Sequence, residues 1–190
     1  MSLKVTKKAE SGLSGSPDAM NKDDKLKTLK IQFKLAKSAM PNYDEYRKEL
    51  EDYTVELPQT FDMPDLSKMH KLYSIIQSFF SRVGTIESLA INNLSLFQSV
   101  FNLMRGYIQD VEATTLVNID RELYPNAALQ SAYVRSEMIK HYSNLRKVEN
   151  HVVMATSFMK EVQIKKKELD KAMVNLTRQV KVMKSENSNY

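Results

Sequence analysis

The sequence predicts an all-α chain: one long antiparallel helical hairpin, coiled-coil-like, preceded by two short helices and a disordered N-terminal tail. Three observations predict it. Among 190 residues there are only four glycines and five prolines, where ordinary usage would supply about 13 and about 9. The many turns of an all-β fold therefore lack the residues that make them. Two long stretches repeat apolar residues at alternating steps of three and four, the spacing of a helix–helix seam. From Asn126 to Tyr190 neither Gly nor Pro occurs, so nothing there forces a helix to stop. Hydrophobic residues make up 42% and charged residues 27% of the chain, enough apolar material for a core and too little charge density for a disordered polyampholyte.

Residues 1–20, rich in Ser, Gly and Lys, read as a flexible tail, and they lack the apolar run of a signal peptide. Residues 21–57 read as two short helices of opposite charge. In the first, Leu26, Leu29, Phe33, Ala36 and Met40 share one face while Lys27, Lys30, Lys34 and Lys37 share another. Alternation at Ile31, Phe33 and Leu35 suggests a strand, but the four-lysine register fits a helix better. Pro41 ends it, and Asn42 with Glu45 makes a capping box for the second, whose face is Tyr43, Tyr46, Leu50, Tyr53 and Leu57. Residues 22–40 carry six Lys and two Asp, net +4; residues 42–57 carry six acids against Arg47 and Lys48, net −4. Such charges favour pairing of the two short helices, within a chain or between chains. Pro58 and Pro64 then bracket an extended linker, 58–64.

The hairpin is expected over 65–184, with its turn near 117–125 and a frayed end at 185–190. Asp65 after Pro64 is a suitable N-cap for the first long helix. There Met69, Ile76, Val83, Ala90, Phe97, Met104 and Val111 occupy one heptad position. Leu72, Phe79, Ile86, Val100 and Tyr107 lie at the next, and Tyr73, Phe80, Leu94, Phe101 and Ile108 one residue further round. So broad a stripe packs against more than one neighbour, in a bundle or across a subunit boundary. Gly84 and Asn92–Asn93 are the places where this helix could kink or split. VNIDRELYP, 117–125, is so short that the two long helices must fold back on each other. Asn126 caps the second long helix. Its seam runs Met138, Leu145, Val152, Met159, Lys166, Met173, Val180 and His141, Val148, Ala155, Val162, Leu169, Leu176, Met183; twelve of these fourteen positions are apolar. Phe79, Phe80, Leu94, Phe97, Phe101, Met159, Leu169 and Leu176 are thus the expected packing and oligomer seam.

The chemistry on offer is sparse. Cysteine is absent, which removes disulfides, thiol nucleophiles and thiolate metal sites together. His70, His141 and His151 have no metal-ligand spacing, and no phosphate-binding glycine loop or nucleophile elbow occurs. No catalytic residue, metal or cofactor is expected, and the chain reads as a non-enzyme without a small-molecule substrate. His141 on the seam reads as a packed histidine. Lys166 interrupts the seam, either to set register or, the favoured reading, as a lysine snorkelling out at a loosely packed end. The stretch Val83–Met104 carries only Glu87 but also holds Asn92, Asn93, Gln98 and Asn102, so no bilayer span is expected.

Lys160, Lys165, Lys166, Lys167, Lys171, Arg178, Lys181 and Lys184 stand against Glu161, Glu168 and Asp170, a local +5 equal to the formal charge of the whole chain. They are the candidate nucleic-acid contacts, with solvated lysines on a coiled-coil exterior as the alternative. Lys27, Lys30, Lys34, Lys37, Tyr43, Tyr46, Leu50 and Tyr53 are candidate partner contacts. The tyrosines could stack bases, but their heptad spacing favours packing.

This architecture, over 65–184, resembles small helical accessory proteins of tailed phages. Terminase small subunits of one class are built around two long antiparallel helices that oligomerise into rings, with flanking segments for DNA and for the motor subunit. Recombination mediator proteins are likewise small, basic, helical oligomers, and DLSKMHKLY at 65–73 resembles a Leu-His-x-x-Tyr segment near the start of their helical core. The Trp-Tyr-Tyr-Gly stretch of the mediators is absent and no helix-turn-helix marks a terminase, so no family site residue carries over. The resemblance implies a homo-oligomer that contacts DNA or a DNA-handling protein in the cytoplasm, that of a host if a phage encodes it. The alternative is a structural or scaffold protein, for example of a virion, whose association survives charge reversal at Lys165, Lys166 and Lys167. A curved membrane-surface dimer ranks last, because the basic residues do not follow one whole face.

Overall fold

The computed structural model describes residues 22–57 and 66–187; the expected tail, the linker 58–64, the Asp65 cap and residues 188–190 lie outside the described residues. The fold is all-α. Four helices occur among the described residues: α1 (Lys22–Ser38), α2 (Tyr43–Asp52), α3 (Leu66–Val117) and α4 (Ala127–Asn187). At 1.5 Å per residue, the 52 residues of α3 and 61 of α4 give lengths of about 78 and about 90 Å.

Helix α3 passes Gly84, Asn92 and Asn93 without a break, so neither site splits it. Residues 185–187, expected to fray, are helical instead, since α4 continues through Asn187 where no Gly or Pro opposes it. Between the long helices, the Asp120 side chain accepts from the backbone N–H of Glu122 at 2.9 Å, an Asx turn that reverses the chain. Asn126 then caps α4, its side chain accepting from the Leu129 N–H at 2.9 Å. The hairpin seam closes as the heptads require: Ile76, Val83 and Phe97 of α3 and Val162 and Leu176 of α4 are fully buried.

The two short helices lie along this hairpin as a third, broken strand of a bundle. Lys25 reaches Asp110 near the turn, Ala39 meets Asn93, Arg47 meets Glu161 and Tyr53 stacks on Phe79. The N-terminal arm therefore runs antiparallel to α3 and covers the apolar flank left over by α4. Leu29 and Ala36 of α1 are buried with Phe97, Val100 and Met104, while Tyr43 and Leu50 of α2 are buried with Ile86 and Phe158. Asn42 caps α2 by accepting from the Glu45 N–H.

Three expectations meet the structure at the short helices, and two of them are overturned. Within the chain, the short helices do not use their opposite charges on each other; among the described residues their ion pairs to other elements go to the hairpin, Lys25 to Asp110, Arg47 to Glu161 and Glu49 to Arg82. The reason is reach: both helices are strung along one groove, end to end, so their flanks meet α3 and α4 instead. Second, of the two neighbours expected for the wide stripe on α3, in a bundle or across a subunit boundary, the bundle arrangement is present: α1 and α2 pack on it beside α4. Third, α2 stops at Asp52, ahead of Tyr53 and Leu57. The β-branched pair Thr54–Val55 and the restriction that Pro58 imposes on Leu57 favour extended backbone there, and Val55 and Leu57 pack beside Met69 and Ile76.

Candidate nucleic-acid interface

Helical phase decides which cations of α4 are available. Val162, Leu169 and Leu176 point into the bundle. Lys160, Lys167, Lys171 and Arg178 each lie two residues from one of these, which places them about 160° round the helix, on the side facing away from the core. Lys181 follows Arg178 by one turn. All five are exposed, and none makes an ion pair with a described residue. The line from Lys160 to Lys181 is about 32 Å long, close to one turn of duplex DNA.

The acids of this stretch flank that line. Glu161 is held by Arg47, whose Nε donates to it at 2.7 Å, and this hydrogen bond keeps the Glu161 carboxyl below its ordinary range. Glu168 lies 3.5 Å from Lys165. Asp170 follows the buried Leu169 by one residue and, with Lys166 and Lys167 of the same helix, borders a cleft that Phe80 and Glu87 of α3 line from the other side.

Two of the predicted contacts are corrected. Lys165 and Lys166 follow Val162 by three and four residues, so they sit on the inward half of α4. The Lys165 side chain is only 17% exposed, and Lys166 pairs with Glu87 of α3 while its ammonium lies over the Phe80 ring. Lys166 is therefore a clasp across the middle of the hairpin, not a lysine escaping from a loose end. The side chain of Lys184 lies outside the described residues.

The candidate partner surface also divides. Tyr43, Tyr46, Leu50 and Tyr53 are spent on the chain itself. Tyr43 is buried, its ring 4.8 Å from that of Phe158 and its hydroxyl donating to Asn93 at 2.5 Å, and burial pushes its pKa up. Tyr46 approaches Phe158 and Tyr53 stacks on Phe79, donating to Glu49. No tyrosine of α2 is free to stack on a base. Lys27, Lys30, Lys34 and Lys37 of α1 stay exposed, with the Lys37 ammonium over the Phe33 ring.

The seam residues Phe79, Phe80, Leu94, Phe97, Phe101, Met159, Leu169 and Leu176 all pack within the chain. His141 packs against Tyr107, as expected for a packed histidine. Residues the sequence reading missed are Asn93 and His151. Asn93 is a buried polar tie of α3, accepting from the Tyr43 hydroxyl of α2 and donating to the Ala39 carbonyl, and His151 lies parallel to Phe97 at 4.9 Å. A hint was available for Asn93: it falls in register with Phe79, Ile86 and Val100, a polar residue at a buried position.

Against known proteins, the chain stands without a match. No protein family, curated protein or solved structure matches it. Among the described residues no cluster of three or more His, Cys, Asp or Glu could hold a metal, and no helix is long and apolar enough to cross a membrane.

Proposed function

We propose that this chain is a non-enzymatic, oligomeric accessory protein that binds DNA, or a partner that handles DNA, through the outer face of α4. The phage packaging and recombination accessories resembled by its long hairpin are the kind of role intended. One observation carries the reading: Lys160, Lys167, Lys171, Arg178 and Lys181 follow one another along the outer side of a single helix, each charge exposed and left unpaired by the described residues. Unpaired cations in such a line release counterions when they meet phosphates, and that release drives binding.

The test is fluorescence anisotropy with single- and double-stranded DNA across a salt series. If all five cations contact duplex phosphates, log K falls against log salt with a slope of about −4.5. Replacing Lys167 or Lys171 by Ala flattens the slope by about 1 and weakens binding alike on every sequence. Absence of binding at low salt overturns the reading.

A second reading, a scaffold that touches no nucleic acid, is favoured by the exposed Val174 and Val182 among those cations. Apolar side chains suit a protein surface better than a phosphate backbone. Under that reading Lys167→Glu with Lys171→Glu leaves co-assembly intact.

A further inference from the structure

Both short helices lie in one groove of the hairpin, so their outer sides look in the same direction. On α1 that side carries Lys27, Ile31 and Lys34; on α2 it carries Glu45, Lys48 and Asp52, and all six are exposed. Ile31 is 61% and the neighbouring Leu35 57% exposed, the only large apolar side chains on α1 that the hairpin leaves so open. Lys27 has a partner at 3.5 Å, Asp24 on its own helix, in a solvent-exposed contact of little energetic worth. The arm thus presents a positive half and a negative half side by side, with an apolar step in the positive one.

A patch of this kind is complementary to its own copy turned round. We infer that two copies of the chain dock arm to arm across a two-fold axis, α1 of each lying antiparallel on α2 of the other. An axis midway between Lys34 and Glu45 sets Lys34 of each copy opposite Glu45 of the other. Lys27 lies two turns before Lys34 and Asp52 two turns after Glu45, so the same axis sets Lys27 opposite Asp52. Ile31, between the two lysines, then meets Lys48, between the two acids, whose alkyl stem covers it while its ammonium reaches water. An isologous contact requires such self-complementarity, and the cyclic dimer is the commonest assembly that results. The acidic surface that these lysines need is already present in the chain, at the matching spacing; for this reason a second copy, and not a foreign acidic protein, is the occupant. The inference rests on the oligomeric part of the proposed function and not on DNA contact through α4, which lies on a different face.

Sedimentation velocity of the full chain over a salt series tests it. At low salt the protein is expected to run as a dimer, twice the 21.9 kDa of the chain, and to move toward monomer as salt screens the contact. Lys27→Glu with Lys34→Glu, and separately Glu45→Lys with Asp52→Lys, are each expected to weaken self-association about tenfold or more through like-charge opposition. Mixing the two variants restores a dimer, since each then offers what the other lacks; this outcome also shows that both variants are folded. A monomeric wild type at low salt, variants that associate as tightly as wild type, or a mixture that stays monomeric overturns the inference. So does a lysine variant that loses an acidic partner or DNA while keeping its dimer mass. DNA anisotropy measured in parallel fails or survives independently of these results.

Discussion

His151 sits in the groove beneath α1 with its ring parallel to Phe97 and 5.9 Å from that of Phe33, and its Nδ1 has no hydrogen-bond partner among the described residues. Burial, with the nearby Lys37 charge as a second cause, holds its pKa below the ordinary 6.5. A histidine whose folded pKa is depressed takes up protons more readily when unfolded, so stability is full above about 6.5 and is lost as pH falls from there toward the folded value. Urea unfolding midpoints should therefore drop between pH 7.5 and pH 5, and His151→Phe should flatten that drop. Two carboxylates titrate in a lower window. Hydrogen bonds from Arg82 to Glu49 and from Arg47 to Glu161 hold both below their ordinary 4.5. Their contribution is present above 4.5 and disappears only as pH falls below it, so the His151 effect can be read separately.

At the level of elements, how far the sequence could be read depends on what each pattern encodes. Heptads encode which side of a helix faces its neighbour, the short 117–125 connection forces the fold-back and Asn126 supplies the cap, which is why all three were legible in the sequence. The placement of α1 and α2 was not. Their net charges suggested mutual attraction, but a net charge carries no address, whereas the stripe containing Phe79, Ile86 and Val100 was already too wide for α4 alone. Lys165 and Lys166 show the same lesson within the candidate site: counted by charge they joined the basic cluster, yet their three- and four-residue spacing from Val162 placed them inward. Gly84 is a different case, a glycine with no structural need. A Cβ there meets nothing within 4 Å, and the helix runs through it unbroken. Gly84→Ala is expected to raise stability by about 0.5–1 kcal/mol, measured as a higher urea midpoint at unchanged slope.

For the molecule as a whole, the controlling feature is that the arm lies at full stretch along the hairpin. Lys25 stands beside Asp110 near the turn, whereas Met183 packs with Met69 and Ile76 at the other end. The intervening part of α3 makes the separation about 60 Å. Cysteine is absent from the chain, so single cysteines introduced at these two positions can carry a donor and an acceptor dye without background labelling. Resonance energy transfer within one chain should report a separation of that order. A much shorter one would mean that the arm folds away from the groove. Because α1 begins near the turn and α4 ends at the opposite end of the hairpin, the docked arm makes the first and last described residues, Lys22 and Asn187, the two far points of one rod.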